Sequence, residues 1–160
     1  MNTLDYVFGE VCKVLLPIPE EVYFGNQKSK IAVCTLSSIN LLKEISSSDL
    51  LDNVAIVGRL LSENKGIDSI IKFVNSNKNI NTIILCGKEV WGHKAGHSLL
   101  ELYKNGIDND GRIINSTSPD PIINSTVDEV NSFRNQVNII DKIGETNSIQ
   151  IKNFVDSIKI

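Results

Sequence analysis

Thr82-Ile83-Ile84-Leu85-Cys86-Gly87-Lys88-Glu89-Val90-Trp91-Gly92-His93-Lys94-Ala95-Gly96-His97-Ser98-Leu99-Leu100 is the stretch on which the reading of this chain turns. Its first five residues form a continuous apolar run of strand length, the pattern of a strand covered on both faces. Gly87 breaks the run. A helical pattern restarts near Gly92, with Gly96, Leu99, Leu100 and Tyr103 on one face and Gly106 where a terminating glycine belongs. A strand that hands over to a helix through a glycine-rich turn is the building unit of open parallel sheets. In such sheets ligands bind outside the carboxyl ends of the strands. Both histidines of the chain, His93 and His97, fall at this turn.

The same unit recurs in both directions. Residues 31–36 and 54–57 read as two further buried strands. Ser37 or Ser38 caps a short helix through about Ile45, and Ser46-Ser47-Ser48 breaks it. A polar loop over 59–66 leads into a helix marked by Ile67, Ile70, Ile71 and Val74. Downstream, 112–114 reads as a short fourth strand, and Pro119 and Pro121 mark a loop without ladder bonds. Thr126 or Ser125 caps a helix with Asp128 and Glu129 in its first turn. Residues 137–140 give a fifth strand, and Ile151, Phe154, Val155 and Ile158 a last amphipathic helix. Strands alternating with helices predict an α/β fold: a Rossmann-like, doubly wound, mostly parallel sheet with helices on both faces. Residues 31–160 form that single domain. Residues 1–30, where Pro17 and Pro19 forbid a helix around Ile18 and Phe24-Gly25-Asn26 reads as a turn, form an N-terminal arm with a short edge strand near Tyr23.

A length of 160 residues suffices to bury one proper core. The net charge of −3 and the 6% aromatic content argue against nucleic acid or an acidic membrane surface as a partner. No apolar stretch reaches the roughly 18 residues of a membrane span, and no signal-peptide pattern opens the chain. Cys12, Cys34 and Cys86 lack any metal-type pairing, which fits a reducing compartment. The expectation is a soluble, cytoplasmic protein without a transmembrane helix of its own.

His93 is the candidate metal ligand. It ends a central strand between Gly92 and Gly96, and Gly87 adds a third position where backbone can approach a large flat ligand closely. Imidazole nitrogen suits a borderline metal such as cobalt. The competing reading is a histidine that caps the helix or packs under the loop. Glu89 either orients His93 or is a solvated acid, and Trp91 either stacks on a ligand or plugs the core. His97 makes an outer contact or is a partly exposed helix residue. Glu89, His93 and His97 at i, i+4, i+8 also suggest a zinc trio, although H-E-x-x-H is absent and Gly92 interrupts a continuous helix. Ser62-Glu63-Asn64-Lys65-Gly66 precedes a helix N-terminus able to hold an anion or amide groups, with Asn64 and Gly66 as its candidates. No phosphate-binding fingerprint and no Ser-His-Asp or Cys-His order occurs. Cys86 lies at a buried strand end, where its thiolate is disfavoured.

These residues carry a family resemblance over roughly 23–143. Ile31-Ala32-Val33-Cys34-Thr35-Leu36-Ser37-Ser38, Ser62-Glu63-Asn64-Lys65-Gly66-Ile67, the run from Ile84 to Gly96, Asn105-Gly106-Ile107-Asp108 and Phe133-Arg134-Asn135-Gln136-Val137 resemble the A subunit of tetrahydromethanopterin S-methyltransferase. The resemblance implies a corrinoid, either cobalamin or 5-hydroxybenzimidazolyl cobamide. His93 of E-V-x-G-H-x-x-G would be the lower axial ligand of its cobalt, and Gly87, Glu89, Gly92, Gly96, Asn64 and Gly66 would lie around it. It further implies a methyl carrier with little activity alone, taking methyl from methyl-tetrahydromethanopterin and passing it to coenzyme M by way of partner subunits, with a membrane methyltransferase complex as the setting. Other corrinoid proteins use D-x-H-x-x-G, in which an aspartate orients the histidine. Trp91 stands at that place here, so an orienting partner must come from elsewhere or be missing. Membrane-bound members of the family end in a transmembrane helix. This chain stops at Ile160 without one, so the expectation is either a soluble domain of a longer protein or, the reading we favour, a stand-alone homologue. The alternatives are a zinc-dependent enzyme using Glu89, His93 and His97, or an interaction subunit with no cofactor.

Overall fold

The computed structural model describes residues 21–159; the expected arm therefore lies outside the described residues over 1–20. Five strands form one sheet: β1 (Val22–Phe24), β2 (Ile31–Cys34), β3 (Ile56–Gly58), β4 (Thr82–Gly87) and β5 (Asn138–Ile143), in the order β1-β3-β2-β4-β5. β3, β2, β4 and β5 run parallel, and β1 is the edge strand expected near Tyr23, antiparallel to β3. The helices are α1 (Ile39–Ser46), α2 (Lys65–Ser76), α3 (Ala95–Asn105), α4 (Val127–Gln136) and α5 (Ser148–Ile158).

Side chains alternate across the central strands and so supply two cores. Ala32, Cys34, Ile83 and Leu85 pack with Ile67 and Ile71 of α2, Leu99 of α3 and Phe133 of α4. Ile31, Val33, Ile84 and Cys86 pack with Leu41 and Leu42 of α1 and Ile151 and Val155 of α5. Each fully buried aliphatic or aromatic side chain contributes about 1.5–3 kcal/mol. This is the doubly wound, three-layer arrangement that the alternating pattern predicts.

Three expectations change in detail. Residues 112–114 form no strand: they make only isolated bridges, Ile107 with Ile113 and Arg112 with Ile122. Gly111 and Asn115, both left-handed, turn the chain away on either side. β2 stops at Cys34 rather than Leu36, because Leu36 itself has φ 48° and turns its buried side chain back into the core. The serine-rich break after α1 contains a 3₁₀ turn (Asp49–Asn53), capped by the Ser48 hydroxyl, which accepts from Leu50 N.

The stretch Phe133-Arg134-Asn135-Gln136 acts on helix ends. Arg134 donates to the carbonyls of Tyr103 and Lys104, closing α3 at 2.9 and 2.8 Å. Gln136 Nε2 lies 2.9 Å from each of the Val74, Asn77 and Ile80 carbonyls, at the end of α2. Thr126, one of the two expected caps, caps α4 and forms a capping box with Glu129.

The order of winding reverses at β2: the chain passes from β2 to β3 on one side and then crosses to β4 on the other. That switch point is where a ligand crevice is expected, yet the protein closes it. Ser37 Oγ donates to Lys88 O at 2.8 Å, and Lys88 N donates to Ser38 Oγ at 2.9 Å. Gly87 has φ +80°, and a Cβ there would collide with the Thr35 carbonyl.

Candidate functional site

Beyond the closed crevice, three loops converge on His93. β4 delivers His93 through a turn in which Gly92 (φ 81°) and Lys94 (φ 51°) are both left-handed. The loop after β3 delivers Glu63, two residues before α2. The long connection between α3 and α4 delivers Asp120. Glu63 Oε2 lies 2.7 Å from His93 Nδ1, and Glu63 Oε1 accepts from Asp120 N at 3.0 Å. Glu63 is fully buried and His93 is 7% exposed. Burial pushes the Glu63 carboxyl up. The His93 hydrogen bond and charge and the backbone N–H groups of Glu63 and Asp120 more than offset it, and hold the group below its ordinary value. With Glu63 ionised, Nδ1 of His93 is the donor in this bond.

Asn64 buttresses this pair. Its Oδ1 accepts from Lys65 N at 2.7 Å, and its Nδ2 donates to the Asp120 carbonyl and carboxylate at 3.3 and 3.1 Å. Gly66 N donates to Ser62 Oγ at 2.8 Å, and a Cβ at Gly66 would come within 2.7 Å of Leu60 Cδ1. The first amides of α2 are thus taken by the protein's own side chains.

The Glu89 carboxylate neither orients His93 nor floats in solvent. It accepts from Val90 N (2.7 Å), Gly96 N (2.9 Å) and His97 N (2.8 Å), and so caps α3, whose own N-cap residue Lys94 makes no side-chain cap bond. Gly96 is required by this packing: a Cβ would meet Glu89 Oε2, Ile143 Cδ1 and Leu36 Cδ1, each at 3.0 Å. The space expected at Gly87 and Gly96 for a flat ligand is filled by the protein itself. His97 turns to another loop, its Nε2 accepting from Thr117 N at 3.1 Å. Trp91 is 58% exposed and does not plug the core.

Glu89, His93 and His97 therefore point to three separate sets of partners. Among the described residues no three His, Cys, Asp or Glu side chains gather to hold a metal. Cys86 is buried and donates to the Cys34 carbonyl at 3.4 Å; burial raises its thiol and pushes that of Cys34 up to about 12. Neither is a nucleophile at neutral pH.

A carboxylate holding Nδ1 of an imidazole is the outer half of the arrangement that orients a metal-ligating histidine. A group needing one axial nitrogen, and no cage of protein ligands, fits this donor set. Sequence reasoning missed Glu63, although it stands in the quoted Ser62–Gly66 stretch. The only signal was an acid beside an N-cap, and nothing local shows that it is buried 30 residues away from its partner.

No helix among the described residues is long and apolar enough to cross a membrane. Residues 15–159 match the family model for the A subunit of tetrahydromethanopterin S-methyltransferase. The chain is 44% identical over 137 residues to the A subunit of the putative methyltransferase Mtx of Methanosarcina barkeri, covering 84% of this chain and 65% of that protein. It is 36% identical over 134 residues to the A subunit of tetrahydromethanopterin S-methyltransferase from Methanosphaera stadtmanae, covering 82% and 52%. Against a second A subunit of that enzyme, from Methanothermobacter marburgensis, identity is 34% over 136 residues, covering 79% and 71%. The chain thus spans between about half and seven-tenths of these relatives. With the His93–Glu63 pair inside the matched region, this chain belongs to the family of tetrahydromethanopterin S-methyltransferase A subunits.

Proposed function

We propose that the chain is a corrinoid-carrying methyltransferase subunit in which Nε2 of His93 is the lower axial ligand of cobalt. The observation that carries the reading is the 2.7 Å bond from His93 Nδ1 to the buried Glu63 carboxylate. That bond keeps the proton on Nδ1, leaves Nε2 as the electron-pair donor, and raises the ring's basicity as a ligand. The corrinoid would supply a nucleophilic metal that accepts a methyl group and gives it up to a thiolate. Methyl-tetrahydromethanopterin as donor and coenzyme M as acceptor follow from the family's name and from the resemblance. Both would be handled through partner subunits.

Within the protein the labour divides by residue. Glu63 holds and aims the ring, the Asp120 amide and Asn64 hold Glu63 and its loop, and Glu89 anchors the helix that follows His93. The imidazole is covered, so a metal reaches Nε2 only if the turn from Trp91 to Lys94 moves. Its two left-handed residues are where that movement would be absorbed.

The visible spectrum of cobalamin mixed with the protein tests the reading. The natural chain is expected to shift the spectrum by replacing the cofactor's own lower base, and His93→Ala to bind without that shift. If the natural chain and the variant leave the spectrum equally unchanged, His93–Glu63 is a structural pair and the ligand role is lost.

A further inference from the structure

The connection from α3 to α4 is held at its base and at its tip by different kinds of contact. At the base, Ile113 and Ile123 are buried in the core that includes α2 and α3. Ile113 N donates to the Pro121 carbonyl at 2.8 Å, and Ile123 N to that of Gly111 at 2.9 Å. The Asp68 carboxylate of α2 accepts from Asn124 N and Ser125 N, each at 2.9 Å. Between these anchors Ile114 is 38% exposed, and 115–120 carry only polar side chains and a proline.

The tip is fastened by hydrogen bonds to groups on either side of His93. Thr117 N donates to His97 Nε2, and Asp120 N to Glu63 Oε1. The third fastening is a chain of serines. Ser118 Oγ donates to the Lys94 carbonyl at 3.1 Å, which commits its proton. Ser98 Oγ, 2.6 Å away, must then donate to Ser118, and Ser116 Oγ, at 2.6 Å, to Ser98. Lys94 directly follows His93, so the turn cannot move while Ser118 holds that carbonyl. Lifting the tip exchanges these bonds for bonds to water and uncovers no large apolar side chain, so it costs far less than disturbing the base.

We propose that residues 114–120 are a strap that gates His93. Seated, they lock the turn from Trp91 to Lys94 and keep the imidazole covered. Released, they free the Lys94 carbonyl and one oxygen of Glu63, and the imidazole becomes reachable by an incoming metal group. The inference stands on these bonds and not on the corrinoid reading. Its test uses no corrinoid, so either can fail without the other.

Diethyl pyrocarbonate acylates accessible neutral imidazoles, and trypsin cutting after Lys94 places His93 and His97 in separate peptides for mass spectrometry. In the natural chain, acylation of His93 and hydrogen exchange at the Thr117 and Asp120 amides are expected to report one opening constant. Both should respond to low urea alike, and far less steeply than global unfolding does. Ser118→Ala should raise both by the same factor, about two- to tenfold, the weight of one hydrogen bond. Exchange at Ile84 and Leu85 of β4 should not change. Asp120→Ala removes the Asn64 contact, keeps the backbone bond to Glu63, and gives the same reading if Ser118→Ala does not fold. Acylation of His93 that follows global unfolding alone, or that stays constant while the strap amides speed up, would overturn the proposal. So would a folded Ser118→Ala chain that leaves both rates as they were.

Discussion

Replacing Glu63 by Gln changes one atom type at a site with no room for it. Glu63 accepts from His93 Nδ1 at 2.7 Å and from Asp120 N at 3.0 Å, and solvent reaches neither oxygen. A glutamine has one acceptor and one donor in those places. If its oxygen faces His93, its NH2 group opposes the Asp120 amide and a buried N–H is left without an acceptor. If its oxygen faces Asp120, the NH2 group opposes Nδ1 and the imidazole must shift its proton to Nε2. Either way one buried charged hydrogen bond is lost, at a cost of about 1–3 kcal/mol. A domain of this size is stable by about 5–15 kcal/mol, so Glu63→Gln should fold. Urea denaturation reads the loss, and nitrogen chemical shifts of the imidazole read the tautomer. A stability change below about 0.5 kcal/mol with an unchanged tautomer would refute the view that the carboxylate sets the state of His93.

Because the Glu63 carboxyl is held below its ordinary value, its stabilisation is present above the unfolded-state value of about 4.3 and is lost as pH falls through the folded value. The natural chain should therefore lose more stability between neutral and acidic pH than Glu63→Gln does; equal losses would remove Glu63 from the acid response. Gly87→Ala meets both a positive φ and the Thr35 carbonyl, and should destabilise by roughly 2 kcal/mol or more, seen as a lowered urea midpoint. Glu89→Ala removes the acceptor for three amides of the turn before α3 and of its first residues. It should cost about 1–2 kcal/mol, and hydrogen exchange at Gly96 and His97 should speed up while α4 is unaffected.

Taken alone, the sequence determined the order of the five helices and of the strands that form the sheet, the two buried thiols, a helix cap at Ser125 or Thr126 and the turn that carries His93. Each of these rests on periodicity or turn chemistry within a few residues, so the information is local. Tertiary structure alone decided that 112–114 joins no sheet, since a strand needs a neighbour and those residues have none beyond isolated bridges among the described residues. It also decided that Glu89 caps a helix and that glycines read as room for a ligand instead admit the protein's own carbonyls and side chains. Glu63 is the sharpest case. An acid beside a helix start is ordinary in sequence, and it becomes the partner of a histidine only when the crossover from β3 through α2 to β4 brings residues 30 apart within 2.7 Å and buries both. Desolvation and long-range contact set that outcome, and neither is written in the spacing of neighbouring residues.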